Sequence, residues 1–291
     1  MFKKGVITDE ISQDLEAAAK LAAEYGLTGL ELRTVWNKGV HQLTDEELDK
    51  VLEIAGSYKM EVPAISSPFF KCELTNPEEI ANHYEILAKA IAAAKKLGAK
   101  YIRGFAFWRR GDNFDELLPQ IVEKFQQPIA MLKEANLILA LENEPATYNC
   151  NAARTVQLIK ALDTPYVRAV WDAGNDIYSL AEPEEPYPQG YNIIKDYAVH
   201  MHMKDAVYDP ETGKVEGVVI GTGQTNWRGQ LKALLDDGYS GYVCLETHYR
   251  PKSKLSEEQL NRPGGADFSA LGDIATRECL ENWLAIMKEI S

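Results

Sequence analysis

The sequence predicts a parallel (β/α)8 barrel, a TIM barrel of the α/β class, in one domain over residues 1–291, and three observations carry that prediction. Short apolar runs alternate with longer amphipathic ones eight times along the chain, the pattern of strand–helix units in a closed parallel sheet. No low-complexity linker interrupts the alternation, and ~250 residues is an ordinary length for one such barrel. The turn after the first apolar run reads Thr8-Asp9-Glu10-Ile11, without the glycine-rich phosphate loop that an open doubly wound sheet would need there.

Taken in order, Val6-Ile7-Thr8 is the first strand. Ser12 or Asp14 caps a helix over Leu15–Tyr25, which Gly26 ends. Gly29-Leu30-Glu31-Leu32 is the second strand, and Thr44 to Glu47 has the spacing of a capping box opening a helix to about Tyr58. Glu61–Ile65 is the third strand; Asn76-Pro77 opens the next helix with proline at its first position, and Gly98 closes it. Tyr101–Phe105 is the fourth strand, before a helix over Phe114–Ala135 that Pro128 should kink. The fifth to eighth strands are Leu137–Leu141, Val167–Trp171, Ala198–Met203 and Tyr242–Leu245. Helices over Ala152–Leu162, Tyr191–Ile194 and Trp227–Asp237 separate them, and one over Thr276–Ile290 ends the chain. Ala181–Gly190 reads as a loop, and Tyr249–Gly265 as an insertion after the eighth strand, on the rim where barrel loops build active sites and lids.

Composition narrows the function. The net charge is −13, the pI about 5.0 and the mean hydropathy −0.30. An acidic surface repels phosphodiester backbones, so no nucleic-acid partner is expected. No apolar run approaches the ~20 residues that cross a bilayer, so no membrane partner is expected either. Cys72, Cys150, Cys244 and Cys279 are scattered and form no CxxC pair, which disfavours a thiolate metal site and suits a cytoplasmic location.

Four of the strands end on residues that bind metals. Glu142, Asp172, His202 and Glu246 close strands five to eight at spacings of 30, 30 and 44 residues, about one strand–helix unit each. Barrel closure brings such residues to one half of the mouth. A single carboxylate at a strand end is commonly a helix cap or an ion-pair partner. Three carboxylates and an imidazole together repel one another unless a cation lies between them, so the quartet is read as the ligand set of one divalent ion. His200 points the same way as His202, one layer deeper, and is a candidate for substrate contact or for support from beneath. His248 lies just past the eighth strand, whereas His41 and His83 are expected at the surface.

Other mouth residues are candidates for binding substrate: Arg33 after strand two, Ser66 and Ser67 after strand three, Trp108 beyond strand four, Asn175, and Lys204 after strand seven. Arg33 has the plainer alternative of pairing with Glu31 or Asp9. Trp36, Phe69 and Trp108 are expected as an aromatic wall for a sugar ring, or as rim packing. The GTGQTNW segment, residues 221–227, reads as a flexible loop that ends on Asn226 as the N-cap of the next helix.

Read together, GVITDEIS, LENEP, WDAGN, HMHMKD, GTGQTNW and YVCLETH make the whole chain resemble the xylose isomerase-like sugar phosphate isomerase/epimerase superfamily. That resemblance implies a TIM barrel with a Glu-Asp-His-Glu site for manganese, magnesium, zinc or cobalt, here Glu142, Asp172, His202 and Glu246. It also implies that Glu142 and Glu246 are catalytic, moving protons on opposite faces of a small carbohydrate substrate. Two departures from the ketose 3-epimerase pattern stand out: Asn175 where histidine is frequent, and Tyr148 where a further glutamate is found. The implied activity is a metal-dependent isomerase or epimerase of carbohydrate metabolism acting on a sugar, keto-sugar or keto-polyol through a metal-stabilised enediolate. A lyase of the inosose dehydratase type is the alternative. Apurinic-site endonucleases share the barrel but need further histidines where this chain has Ser66-Ser67 and Phe105-Ala106-Phe107. A non-catalytic barrel subunit would not need four converging ionisable groups, and a homo-oligomer is compatible with the family.

Overall fold

The computed structural model describes residues 1–290. Eight parallel strands form the barrel: β1 Lys3–Ile7, β2 Gly29–Glu31, β3 Ala64–Phe69, β4 Tyr101–Gly104, β5 Ile138–Glu142, β6 Val167–Asp172, β7 Ala198–Met203 and β8 Tyr242–Leu245. Their order around the sheet is β2-β1-β8-β7-β6-β5-β4-β3. Parallel bridges from Gly29 to Glu61 and from Leu32 to Ile65 join the two ends, so the barrel is nearly closed.

The helices are α1 Leu15–Glu24, α2 Asp45–Ser57, α3 Pro77–Leu97, α4 Phe114–Ala135, α5 Ala152–Leu162, α6 Ala173–Tyr178, α7 Tyr191–Ile194, α8 Trp227–Asp236, α9 Glu257–Asn261, α10 Gly265–Ser269 and α11 Gly272–Ile290; the long ones pack outside the barrel, and the short α6, α9 and α10 lie at its mouth. Local chemistry sets most of their ends. Asp14 caps α1, Thr44 and Glu47 form the capping box of α2, and Asn76 with Pro77 starts α3. Both prolines of α4 lie inside a continuous helix. Among the described residues, no helix is long and apolar enough to cross a membrane.

Several boundaries differ from the sequence prediction. β3 starts three residues late, because Glu61 only bridges to Gly29 and the regular ladder to β4 begins at Ala64. Ser66 and Ser67 therefore lie inside a strand instead of after it. β5 and β6 each run one residue further, so Glu142 and Asp172 are the last residues of their strands. α11 starts four residues early, and Gly272 can open it because a Cβ there would collide with the Glu10 carbonyl. Two short hairpins, Thr34–Val35 with Lys38–Gly39 and Ala206–Asp209 with Lys214–Gly217, were not legible as alternation, since each strand is only two to four residues long.

The core has two layers, one inside the barrel and one between strands and helices. In the outer layer Phe69 and Phe70 stack at 3.9 Å, Phe70 and Phe107 at 4.2 Å, and Phe125 of α4 meets Phe70 edge-on at 5.0 Å. Phe69 is thus fully buried behind β3 and forms no wall for a sugar. His83 is also buried, against the surface position expected: its Nδ1 accepts the Phe70 N–H at 2.9 Å. Trp36 sits in the turn of the first hairpin at φ 52° with the Lys50 ammonium over its ring.

Candidate metal centre

Register brings the quartet to one level. Asp172 pairs with His202 across β6 and β7, and His202 pairs with Cys244 across β7 and β8, which puts Glu246 just above that layer. Glu142 lies one stagger lower, opposite Val170. One ligand atom from each of Glu142, Asp172, His202 and Glu246 lies within 4.8 Å of all the others, and all four residues are buried.

Each member is held in place. Asp172 also caps α6: its Oδ1 accepts the N–H groups of Gly174 at 2.9 Å and Asn175 at 3.2 Å, leaving Oδ2 for the site. Residue 174 must be glycine, because a Cβ there would stand 2.6 Å from the Lys204 carbonyl oxygen. His202 turns Nδ1 to the quartet, 3.1 Å from Glu142 Oε1, while Nε2 lies 3.0 Å from Glu31 Oε1. Glu31 is fully buried at the end of β2; it also meets His200 Nε2 at 2.7 Å and accepts the Ser66 hydroxyl at 2.6 Å. An imidazole that gives one nitrogen to a carboxylate and keeps the other for a cation is the arrangement that fixes tautomer and raises ligand basicity.

Arg33 and Arg103 come from the β1–β4 side of the mouth, and Lys204 from just past β7. Arg33 reaches Asp9, Glu10 at 2.7 Å and Glu246 at 2.7 Å, and it does not touch Glu31. Arg103 Nη1 lies 3.1 Å from Glu142 Oε2, and Lys204 Nζ lies 2.9 Å from both Asp172 Oδ2 and Glu246 Oε2. Burial pushes Glu142 up, but Arg103 and His202 outweigh it and hold the carboxyl at about 2. Glu246 is likewise held well below the carboxylate range, against burial, chiefly by Lys204 and His248. Burial takes Asp172 the other way, up to about 8, with Lys204 opposing and Glu246 and Glu142 adding to the rise.

Can these residues hold a divalent ion? Glu142 Oε2 and Asp172 Oδ2 are buried oxygens that accept no well-formed hydrogen bond despite their cationic neighbours. Two under-satisfied carboxylate oxygens, a third carboxylate and an imidazole nitrogen turned toward them are an oxygen-rich donor set suited to manganese, magnesium, cobalt or zinc. The residues fit the group.

The other sequence candidates divide. Asn175 lines the cavity above the quartet and donates to the Asn143 carbonyl at 2.8 Å, with Glu142 Oε1 at 3.4 Å. His248 lines the same cavity, 3.4 Å from Glu246 Oε1. Ser66 reaches a neighbouring cavity, and Trp108 stands at its rim. His200 does not reach the mouth: it lies fully buried beneath His202, so contact with substrate is replaced by contact with Glu31.

Several residues escaped the sequence reading. Glu31 looked like an ion-pair partner, although a charge inside an apolar strand of a closed barrel was the available signal. Asn143 was passed over too; it donates to the Asp172 carbonyl and to Asp176. The GTGQTNW loop is not free-standing, since Asp205 accepts from Gly221 N at 2.8 Å, Gly223 N at 2.9 Å and the Thr225 hydroxyl. Asn226 caps α8 as expected, and the Trp227 indole N–H donates to the Lys204 carbonyl at 2.8 Å.

The profile of the xylose isomerase-like TIM barrel family matches residues 19–266. This chain belongs to that family. No curated protein matches its sequence. Among solved structures, D-psicose 3-epimerase from Clostridium cellulolyticum H10, crystallised with D-tagatose, superposes with a TM-score of 0.73 at 14% identity over 100% of both chains. The probable 3-DHS dehydratase AsbF from Bacillus anthracis gives 0.69 at 16% identity, covering 95% of this family member and 99% of that chain. A xylose isomerase-like TIM barrel protein from Mycobacterium smegmatis, in complex with magnesium, gives 0.67 at 18% identity over 95% and 89%. At these identities the likeness is one of fold.

Proposed function

We propose that this protein is a divalent-metal-dependent isomerase or epimerase that moves a proton on a sugar, keto-sugar or keto-polyol. The observation that carries the reading is the convergence of Glu142, Asp172, His202 and Glu246 within 4.8 Å below a cavity of about 310 Å³. A divalent ion held there supplies a Lewis acid for adjacent carbonyl and hydroxyl oxygens, which acidifies the C–H between them. Epimerase and dehydratase relatives in fold support the reading.

The chain's own residues do the rest. Glu142 and Glu246 flank Asp172 and His202 on β5 and just past β8, so a substrate between them meets a carboxylate on each side. Both are held ionised, and each can take a proton from carbon and return it. Glu31 orients His202, Asn175 and Asn143 position Glu142 and Asp172, and Lys204 stands where an enediolate oxygen would need a partner. Residues 257–263 roof the cavity and would exclude water as a lid.

A second reading is favoured by one contact: Lys204 Nζ already bridges Asp172 and Glu246, as the cation of a metal-independent site would. Elemental analysis after dialysis against manganese separates the two. About one equivalent of tightly held metal, lost in Glu246→Gln, is the expected result, and no retained metal would exclude the main reading. Proton–deuterium exchange followed by NMR with a panel of ketoses, keto-inositols and 3-keto-sugars then identifies the acidic carbon. Exchange with return of substrate or its isomer marks an isomerase or epimerase, whereas loss of a hydroxyl marks a dehydratase.

A further inference from the structure

The cavity over the quartet has a neighbour of opposite character. A second cavity, about 560 Å³, lies over β2–β4 and shares Lys71, Arg103, Asn261 and Pro263 with the first. Its charged lining is Arg33, Lys71, Arg103, Arg110 and Arg262 against Glu73 and Glu79, an excess of three positive charges in a chain whose net charge is −13. The first cavity is the reverse: Lys71, Arg103 and Lys204 face Glu142, Glu144, Glu246 and Glu257. Such a local reversal of sign concentrates anions where the overall field would repel them.

Not all five cations are available. Arg33 is spent on Asp9, Glu10 and Glu246, and Arg110 pairs with Glu73. Lys71 is shared between Glu144 at 2.6 Å and the Asn261 carbonyl at 3.0 Å. Arg103 is different. It is 4% exposed, its Nη1 lies by Glu142, its Nη2 reaches the Ser66 carbonyl only at 3.5 Å, and its Nε is buried with no hydrogen-bond partner. A buried guanidinium N–H without a partner costs free energy, so turning it toward an acceptor that entered the cavity Arg103 lines would be favourable. Arg262 stacks over the Trp108 ring, 5.7 Å from its centroid, and has no carboxylate partner among the described residues. Two guanidinium groups on one cavity match an oxyanion, which takes paired N–H donors.

We propose that the substrate carries an anionic group, a carboxylate or a phosphate, which binds Arg103 and Arg262 beside Lys71 in the second cavity while its reacting carbons lie over the quartet. This rests on the reading of the quartet as the reacting centre and adds the substrate class. It also gives Trp108 a role, since its ring lies beside the Arg262 guanidinium on the same cavity.

The test uses three six-carbon polyols that differ at C1 only: D-glucitol, D-gluconate and D-glucitol 1-phosphate. Calorimetric titration of the full chain, freed of metal so that chelation does not contribute, is expected to show one or both anions binding at least about tenfold more tightly than glucitol, with affinity falling as salt rises. Whichever anion binds more tightly identifies the group. Arg103→Gln and the exposed-rim variant Arg262→Gln are each expected to weaken anion binding on the order of tenfold, with Arg103→Lys partly restoring it. Equal binding of glucitol, no anion binding, or anion binding untouched in both Gln variants would overturn the proposal. Metal content is measured separately on the same proteins. A chain that binds metal but not anions loses only this inference, and one that binds anions but not metal loses only the metal reading.

Discussion

The two halves of the barrel mouth are built to different plans. The half formed by β5–β8 offers Glu142, Asp172, His202 and Glu246, each within one residue of the end of its own strand, and its chemistry is that of candidate metal ligands. The half formed by β1–β4 offers Arg33, Arg103 and, deeper, Glu31, whose chemistry is that of counter-charge and orientation. Neither is stable alone: three buried carboxylates repel one another, and buried guanidinium groups need acceptors. Arg33 to Glu246 and Glu31 to His202 join the halves across the mouth, Arg103 to Glu142 joins them between the adjacent strands β4 and β5, and Lys204 neutralises Asp172 and Glu246 from the β5–β8 half itself.

The largest effect should come from cutting the link outright. Arg33→Met leaves Asp9, Glu10 and Glu246 buried without their shared cation, and chemical denaturation should show a loss of about 3–5 kcal/mol. A loss below about 1 kcal/mol would mean that the two halves are not electrostatically joined.

A smaller change tests orientation. Glu31→Gln keeps the shape but removes the carboxylate behind His202, and manganese affinity should fall about 10–100-fold while the fold persists. Unchanged affinity in a competition titration would reduce Glu31 to core packing.

Two buried groups behind the mouth sharpen the contrast through pH, because they titrate with opposite signs. Behind β3, burial lowers His83 to about 4, below the ordinary 6.5. The stability this neutral imidazole contributes is present above pH 6.5 and is lost as pH falls from there toward 4, by about 2 kcal/mol. His83→Gln should flatten that part of the pH–stability curve. Behind β6, burial and the facing Glu184 carboxylate raise Asp176 well above the usual carboxylate value of 3.8. Its contribution is present below pH 3.8 and is lost as pH rises through the raised value. Asp176→Asn should therefore leave stability unchanged near pH 4 and increase it by about 1 kcal/mol at pH 8, as a melting series would record. If the two variants changed the slope of stability against pH in the same direction, the opposite environments argued for them would be wrong.

How much of this was legible beforehand follows the same division. Spacing alone placed the four ligand-type residues together, because a parallel barrel repeats one strand and one helix per step and strand ends are marked by apolar runs. Capping chemistry at Asp14, Thr44 and Asn76 placed helix starts nearly to the residue, since caps act within a single turn. Spacing gave no sign that Glu31 sits under His202, 171 residues away, or that Arg33 meets Glu246, 213 residues away. His83 looked like a surface histidine on an amphipathic helix, and only the packing of α3 against Phe70 buried it.

Composition, strand–helix alternation and local caps by themselves determined the barrel and the side of its mouth on which ligands gather, because those signals act over a few residues and repeat. Closure of the sheet decided which cation neutralises which carboxylate, which imidazole nitrogen faces the quartet, and where the basic cavity lies. Those contacts join strands from opposite ends of the chain, and their energies depend on burial and distance that no linear spacing contains.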